Sequence, residues 1–157
     1  MARNSSTSET FILFQIADTT YAASSQHVRQ IEMIEHVTPL PNAPEFVDGV
    51  VFTRGEVIPA VNLRVRFGFP KASYNVRSRL IVISYPGRQI GLIVDSAREF
   101  MSIPPQSIQS PPESVSGLSG KYLKGLVTIG ERIVLVLDLE EVMKFVPREA
   151  TAAANAE

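Results

Sequence analysis

The sequence predicts an all-β protein made of two related small β-barrels, each of about five short strands with one helical turn. Three observations predict it. Two stretches of the first half recur, diverged but in order, in the second half. The apolar runs are short and rich in β-formers, and turn-like residues separate them. A glycine recurs at the same place in both halves, Gly49 and Gly125. Such a repeat constrains architecture more firmly than local propensity does.

In chain order, the β-forming run Phe11 to Ile16 is followed by the turn-like Ala17 to Thr20, and its counterpart Leu80 to Tyr85 is followed by Pro86 to Arg88. Tyr21 to Ile31 then lies over Ile90 to Phe100 without a gap, which sets Arg29 on Arg98 and Ile31 on Phe100. Each half therefore opens with a hairpin. Glu45 to Val51 lies over Lys121 to Val127, and the match runs on to set Val57 to Leu63 on Ile133 to Leu139. Both halves thus close with a β-run and an Asx-Leu pair that can start a short helix, the second at the C-terminal end. Gly49 and Gly125 suit a bent strand or a close backbone approach. The connectors differ, Glu35 to Pro44 against the longer Pro104 to Gly120, which is rich in Pro, Ser and Gly. Closing each sheet would remove the edges that short strands expose. The expected division is a tail at 1–10, a first barrel at 11–69, a linker at 70–78, a second barrel with its C-terminal helix at 79–146 and a tail at 147–157. The tails are Ser/Thr-rich and Ala-rich, with no apolar face to bury. A groove between two barrels is a common kind of binding site.

Composition bounds the function. An apolar fraction of 45% supports a real core, and 15 basic against 16 acidic residues leave a formal charge of −1, with no footprint for nucleic acid or anionic lipid. The absence of cysteine excludes disulfides, thiolate metal sites and a cysteine nucleophile, and fits a reducing, cytoplasmic compartment. Met1 to Thr10 lacks the apolar region of a secretory signal, and runs such as Ile133 to Leu137 are far shorter than a bilayer span. Catalytic patterns are missing as well. His27 and His36 have no partner at metal spacing. Asp18, Asp48, Asp95, Asp138, Glu32, Glu35, Glu56 and Glu99 read as structural or solvated, with Asp95 and Asp138 placed to cap helical turns. Ser116 to Gly120 sits in a proline-rich connector rather than a nucleophile elbow, and no glycine-rich phosphate loop occurs. Phe11, Phe14, Tyr85 and Phe100 lie in apolar strand runs and read as core rather than stacking platforms. No catalytic residue, metal or cofactor is expected.

One cluster stands out. Phe52 to Gly55 places an arginine and a glycine in a turn between two β-runs, and in repeat register Arg54 falls on Gly130. The arginine belongs to the first half only. A planar guanidinium there can tie a loop to a neighbour or meet a partner's oxygens.

With the repeat and this turn in hand, the stretch from about Thr10 to Phe145 resembles the CheW-like coupling domains of bacterial chemosensory systems. The resemblance is carried by the Phe11 to Ile16 strand, Asn42 to Phe46 leading to Gly49, Arg54-Gly55 with Val57 to Leu63, Ile90 to Asp95, and Tyr122 to Gly125 with Leu135 to Leu139. It implies two SH3-like five-stranded barrels and a non-enzymatic adaptor that couples methyl-accepting chemoreceptors to a CheA-type histidine kinase. By the same resemblance, the receptor tip would lie along a groove at Val28, Gln30, Arg54, Val57 and Gly91. The kinase's regulatory domain would meet Val37, Thr38, Phe46, Val47 and Gly49, with a second contact at Gln109 and Ser114. The family usually has Asn-Leu-Arg-Gly where this chain has Phe52 to Gly55, Asp at Asn62 and often Glu at Gln30. Larger or charged groups are common at Gln109 and Ser114. Those departures point to a variant pathway, such as one controlling type IV pili or surface behaviour. A rival reading is a small-ligand sensor that uses the groove between barrels.

Overall fold

The runs Phe11 to Phe14 and Leu80 to Ile83 carry no polar residue between their apolar ones, a pattern that suits a strand covered on both faces rather than one. Both are covered in this way. In the computed structural model, which describes residues 8–112 and 122–144, Phe11 and Leu13 point into one apolar cluster while Ile12, Phe14 and Ile16 point into another. Leu80 and Val82 likewise face a third cluster, while Ile81 and Ile83 join Ile12 and Phe14.

The strands are β1 (Glu9–Ile16), β2 (Thr19–Ser24), β3 (Val28–Met33), β4 (Val47–Thr53), β5 (Glu56–Asn62), β6 (Arg79–Tyr85), β7 (Arg88–Val94), β8 (Ser96–Ile103), β9 (Leu123–Ile129) and β10 (Arg132–Leu137). Two short α-helices, α1 (Leu63–Arg66) and α2 (Leu139–Met143), and 3₁₀ turns at Ser25–His27 and Pro105–Ser107 complete the described chain. The strands form two five-stranded sheets, ordered β8-β1-β2-β10-β9 (sheet I) and β3-β6-β7-β5-β4 (sheet II). The all-β class, the five-stranded units and the short helices agree with the sequence.

The division at 70–78 does not. Hairpin β1–β2 from the first repeat is completed by β8, β9 and β10 from the second, and hairpin β6–β7 by β3, β4 and β5 from the first. The parallel pairs β2–β10 and β5–β7 make the exchange. Self-similarity records which segments are alike, not which ones pair. Crossing the pairs between repeats buries the second face of both hairpins in a shared inter-sheet core, while each sheet keeps a smaller core of its own.

Closure also differs from a continuous barrel. The outer strands of sheet II, β3 and β4, do not pair with each other, nor do β8 and β9 of sheet I. A single antiparallel bridge joins the chain after β3 to β4, Thr38 to Val50, and its repeat counterpart joins Gln109 to Leu126. The two recurrent glycines make these bridges sterically possible. A Cβ on Gly49 would stand 2.1 Å from the Thr38 carbonyl oxygen, and one on Gly125 would stand 2.5 Å from that of Gln109.

The Asx-Leu pairs act as expected. Asn62 Oδ1 accepts from the Val65 N–H and Asp138 Oδ1 from the Glu141 N–H, each at 3.3 Å, at the first turns of α1 and α2. Asp95 does not cap a helix, because β7 passes into β8 through one bend residue and no helical turn follows. Its Oδ2 instead accepts the Ala17 N–H at 2.7 Å and pairs with Arg64 at 2.6 Å, so it clasps the β1–β2 turn of sheet I to α1. Phe100 is also not core, being 54% exposed on β8, an edge strand covered on one face only.

Candidate functional site

Strands β4 and β5 are joined by two residues, Arg54 at φ +50° and Gly55 at φ +82°, the left-handed pair of a tight hairpin turn. Glycine or asparagine suits the first of these positions, and the matching residue in sheet I is Gly130, at φ +65°. An arginine there costs about 1–2 kcal/mol of backbone strain. Arg54 is exposed, and no hydrogen bond or ion pair holds it among the described residues. Strain of this kind, without a local compensating contact, is characteristic of functional turns.

Behind the turn, side chains stitch the two edges of sheet II together. Gln30 of β3 donates to Thr53 Oγ1 of β4 at 3.0 Å and also to Glu32, while the Thr53 hydroxyl donates to Glu32 Oε2 at 2.6 Å. Gln30 and Glu32 are therefore engaged with Thr53, and neither meets Arg54. Beside this seam lies a cleft of about 620 Å³. Its floor holds Val51 and Leu80, and its walls include Met33, Phe52, Arg54 and Val57.

Of the residues expected along a receptor groove, Gln30, Arg54 and Val57 gather around this hairpin. Val28, at the start of β3, packs against the inter-sheet core on the other side of a strand irregularity. Gly91 is buried in β7, in the same transverse row as Gln30 through Val82. A Cβ there would stand 2.6 Å from the Leu80 Cδ1, so Gly91 makes room for the cleft floor rather than lining a surface.

The expected kinase-side residues converge on the closing bridge. Thr38 pairs with Val50 directly over Gly49, and Val37 packs against the sheet II core beside them. Val47 opens β4, and Phe46 lies just before it with the Arg66 guanidinium 4.4 Å above its ring. Gln109 makes the counterpart bridge in sheet I, so these two expected contacts are repeat-related places. Ser114 lies outside the described residues.

Three features of this neighbourhood escaped the sequence reading. Asp48, between Val47 and Gly49, accepts from Asn62 Nδ2 at 2.9 Å and from the Tyr74 hydroxyl, and Lys71 Nζ stands 3.0 Å away. Burial first, and then the neighbouring carboxylate, raise the Tyr74 hydroxyl well above the ordinary phenol range. Arg66 lies between the rings of Phe46 and Tyr122, at 4.4 and 4.9 Å, and burial lowers its pKa. Phe46 and Tyr122 occupy matching repeat positions, which was the available signal. The third is the seam itself, since nothing local in the sequence places Gln30 and Glu32 beside Thr53. The histidines lie apart, His27 in the 3₁₀ turn 4.7 Å from the Tyr85 ring and His36 exposed at the cleft margin.

Comparison with known proteins decides the family. The CheW-like domain model matches residues 10–146. The chain belongs to the CheW-like domain family. Among similar proteins, the chemotaxis protein CheW of Klebsiella aerogenes is 31% identical over 133 residues, covering 85% of this chain and 80% of that protein. The chemotaxis protein CheW of Rhizobium meliloti is 31% identical over 139 residues, covering 88% and 90%. The crystal structure of the scaffolding protein TtCheW from Thermoanaerobacter tengcongensis matches with a TM-score of 0.77 at 28% identity, covering 83% of this chain and 84% of that one. The family match spans strands of both sheets.

Proposed function

We propose that this chain is a non-enzymatic, cytoplasmic adaptor that couples the tip of methyl-accepting chemoreceptors to the regulatory domain of a CheA-type histidine kinase. Its CheW-like fold and its similarity to chemotaxis proteins and a scaffolding protein support the reading. The observation that carries it is Arg54, an exposed arginine held in a strained turn with no hydrogen bond or ion pair among the described residues. On this reading Gln30, Arg54 and Val57 meet the receptor, with Val28 and Gly91 behind them. Val37, Thr38, Phe46, Val47 and Gly49 meet the kinase, and Gln109 and Ser114 form the second kinase contact. The receptor-side residues and the first kinase-side group adjoin on sheet II, so both partners would meet the same sheet.

Such contacts can each be modest in strength. An adaptor held by several neighbours in an array gains occupancy from effective concentration rather than from one tight interface. The test is reconstitution with the full-length chain, a kinase regulatory domain and a soluble receptor-tip fragment. A ternary complex in analytical ultracentrifugation is the expected result, with no thermal shift on adding metabolites. Metabolite stabilisation in the absence of either complex would replace the adaptor with a small-ligand sensor.

A further inference from the structure

The two expected kinase contacts sit at the closing bridges of different sheets, and one side chain joins the segments that lead to them. Phe46, which precedes β4, and Tyr122, which precedes β9, occupy matching places in the repeat. Matching hydrogen bonds hold them: the Asn62 N–H donates to the Phe46 carbonyl oxygen at 2.6 Å, and the Asp138 N–H to that of Tyr122 at 2.8 Å. Asn62 and Asp138 cap α1 and α2, so each aromatic residue is tied to the start of a helix. From Phe46 the chain runs through Gly49 to Val50 and its bridge with Thr38, and from Tyr122 it runs through Gly125 to Leu126 and its bridge with Gln109. The Arg66 guanidinium lies 4.4 Å from the Phe46 ring and 4.9 Å from the Tyr122 ring. Tyr122 is backed in turn by the Phe67 ring at 5.4 Å.

Packing alone does not call for a cation at this place. In repeat register Arg66 falls on Val142 of α2, which is fully buried in the shared core. Burial also disfavours the charged guanidinium, so an apolar side chain of similar length would serve stability about as well. What the guanidinium adds is geometry. Its plane stacks on aromatic faces, and with a ring to either side it fixes the spacing of the two. We propose that Arg66 is a positioning residue that sets the spacing between the two kinase contacts, a role that rests on the kinase-side reading above. Each contact stays intact without it, but the two no longer stand where one assembly can use both. Avidity is lost when geometry forbids simultaneous engagement.

The chain has no cysteine, so spin labels can be placed at Glu45→Cys and Lys124→Cys, exposed positions close in sequence to Phe46 and Tyr122. In the full-length labelled chain, pulsed electron paramagnetic resonance should give one narrow distance distribution. Arg66→Met should broaden or shift it with no fall in melting temperature. Arg66→Lys, which keeps the charge but not the plane, should fall between the two, and it carries the test if the Met variant does not fold. With the kinase regulatory domain, assembly through both contacts should weaken about tenfold or more in Arg66→Met, read by sedimentation. Binding through one contact, isolated by Gln109→Arg or Thr38→Arg at exposed positions, should be unchanged. An unaltered distance distribution in Arg66→Met would overturn the positioning role. A parallel loss of melting temperature and of single-contact binding would also overturn it and make Arg66 a general structural residue. An unsubstituted chain that binds no kinase domain would remove the kinase-side reading, and with it the purpose of the spacing, whatever the labels report.

Discussion

Arg54 and Tyr74 illustrate how single side chains divide between stability and function here. Replacing Arg54 with glycine should stabilise the fold by roughly 0.5–1 kcal/mol, since relief of the left-handed strain outweighs the greater freedom of glycine in the unfolded chain. Urea denaturation would show it as a higher midpoint, and a fall would mean that the guanidinium has a structural partner. Tyr74 predicts a pH effect. Its folded-state pKa is raised by burial and by Asp48, so its contribution is fully present below the ordinary phenol value of 10 and is lost as pH rises beyond it. Burial raises Tyr21 in the same direction. Stability should therefore decline in alkaline solution, and Tyr74→Phe should make that decline shallower. An unchanged alkaline slope would mean that the hydroxyl is not held by Asp48 in solution.

Hairpins and bridges set the next level of organisation. Each sheet is a five-stranded ladder whose open side is drawn together by one two-residue bridge over a glycine. Gly49→Ala should therefore be costly, about 2 kcal/mol or more, because the added methyl collides with backbone that cannot move without breaking the Thr38–Val50 bonds. Hydrogen exchange would report faster exchange of the Thr38 and Val50 amides, which bond to each other's carbonyls at 2.9 and 2.8 Å. Protected amides in the variant would show that the bridge is not what the glycine serves. Sheet II has a second fastening, the Gln30, Glu32 and Thr53 cluster, beside the turn that presents Arg54. That cluster steadies the hairpin, so the strain at Arg54 persists instead of relaxing.

The exchange of strands makes the two sheets one folding unit. Neither repeat can complete a sheet alone, and the core they share holds residues from both halves, among them Phe14, Ile16, Ile81, Ile83 and Leu92. Leu13→Ala in the sheet I core and Ile58→Ala in the sheet II core should each cost about 2–5 kcal/mol. In calorimetry both should lower a single transition. Two separate transitions in either variant would mean that the sheets unfold independently. The Asp95 clasp and the Arg66 sandwich, each joining segments of the two repeats, reinforce this coupling. Unity of this kind suits an adaptor, because partners on one face feel a single rigid body.

Much of this was legible in the residues themselves. Local chemistry identified the hairpins, the Asn62 and Asp138 caps, the glycines at 49 and 125 and the distinctive arginine turn, because turn geometry, capping and Cβ clashes depend on a few adjacent positions. The order and spacing of the matched segments carried the family. Long-range pairing was not legible. Which hairpin joins which strands depends on how much apolar surface each arrangement buries, and two repeats of similar sequence leave that choice open. The uninterrupted apolar runs of β1 and β6 were the one trace of it, since they mark strands covered on both faces. The same limit hid the Asp95 clasp, whose members come from both repeats, and the Gln30, Glu32 and Thr53 seam, whose members sit on the two outer strands of one sheet.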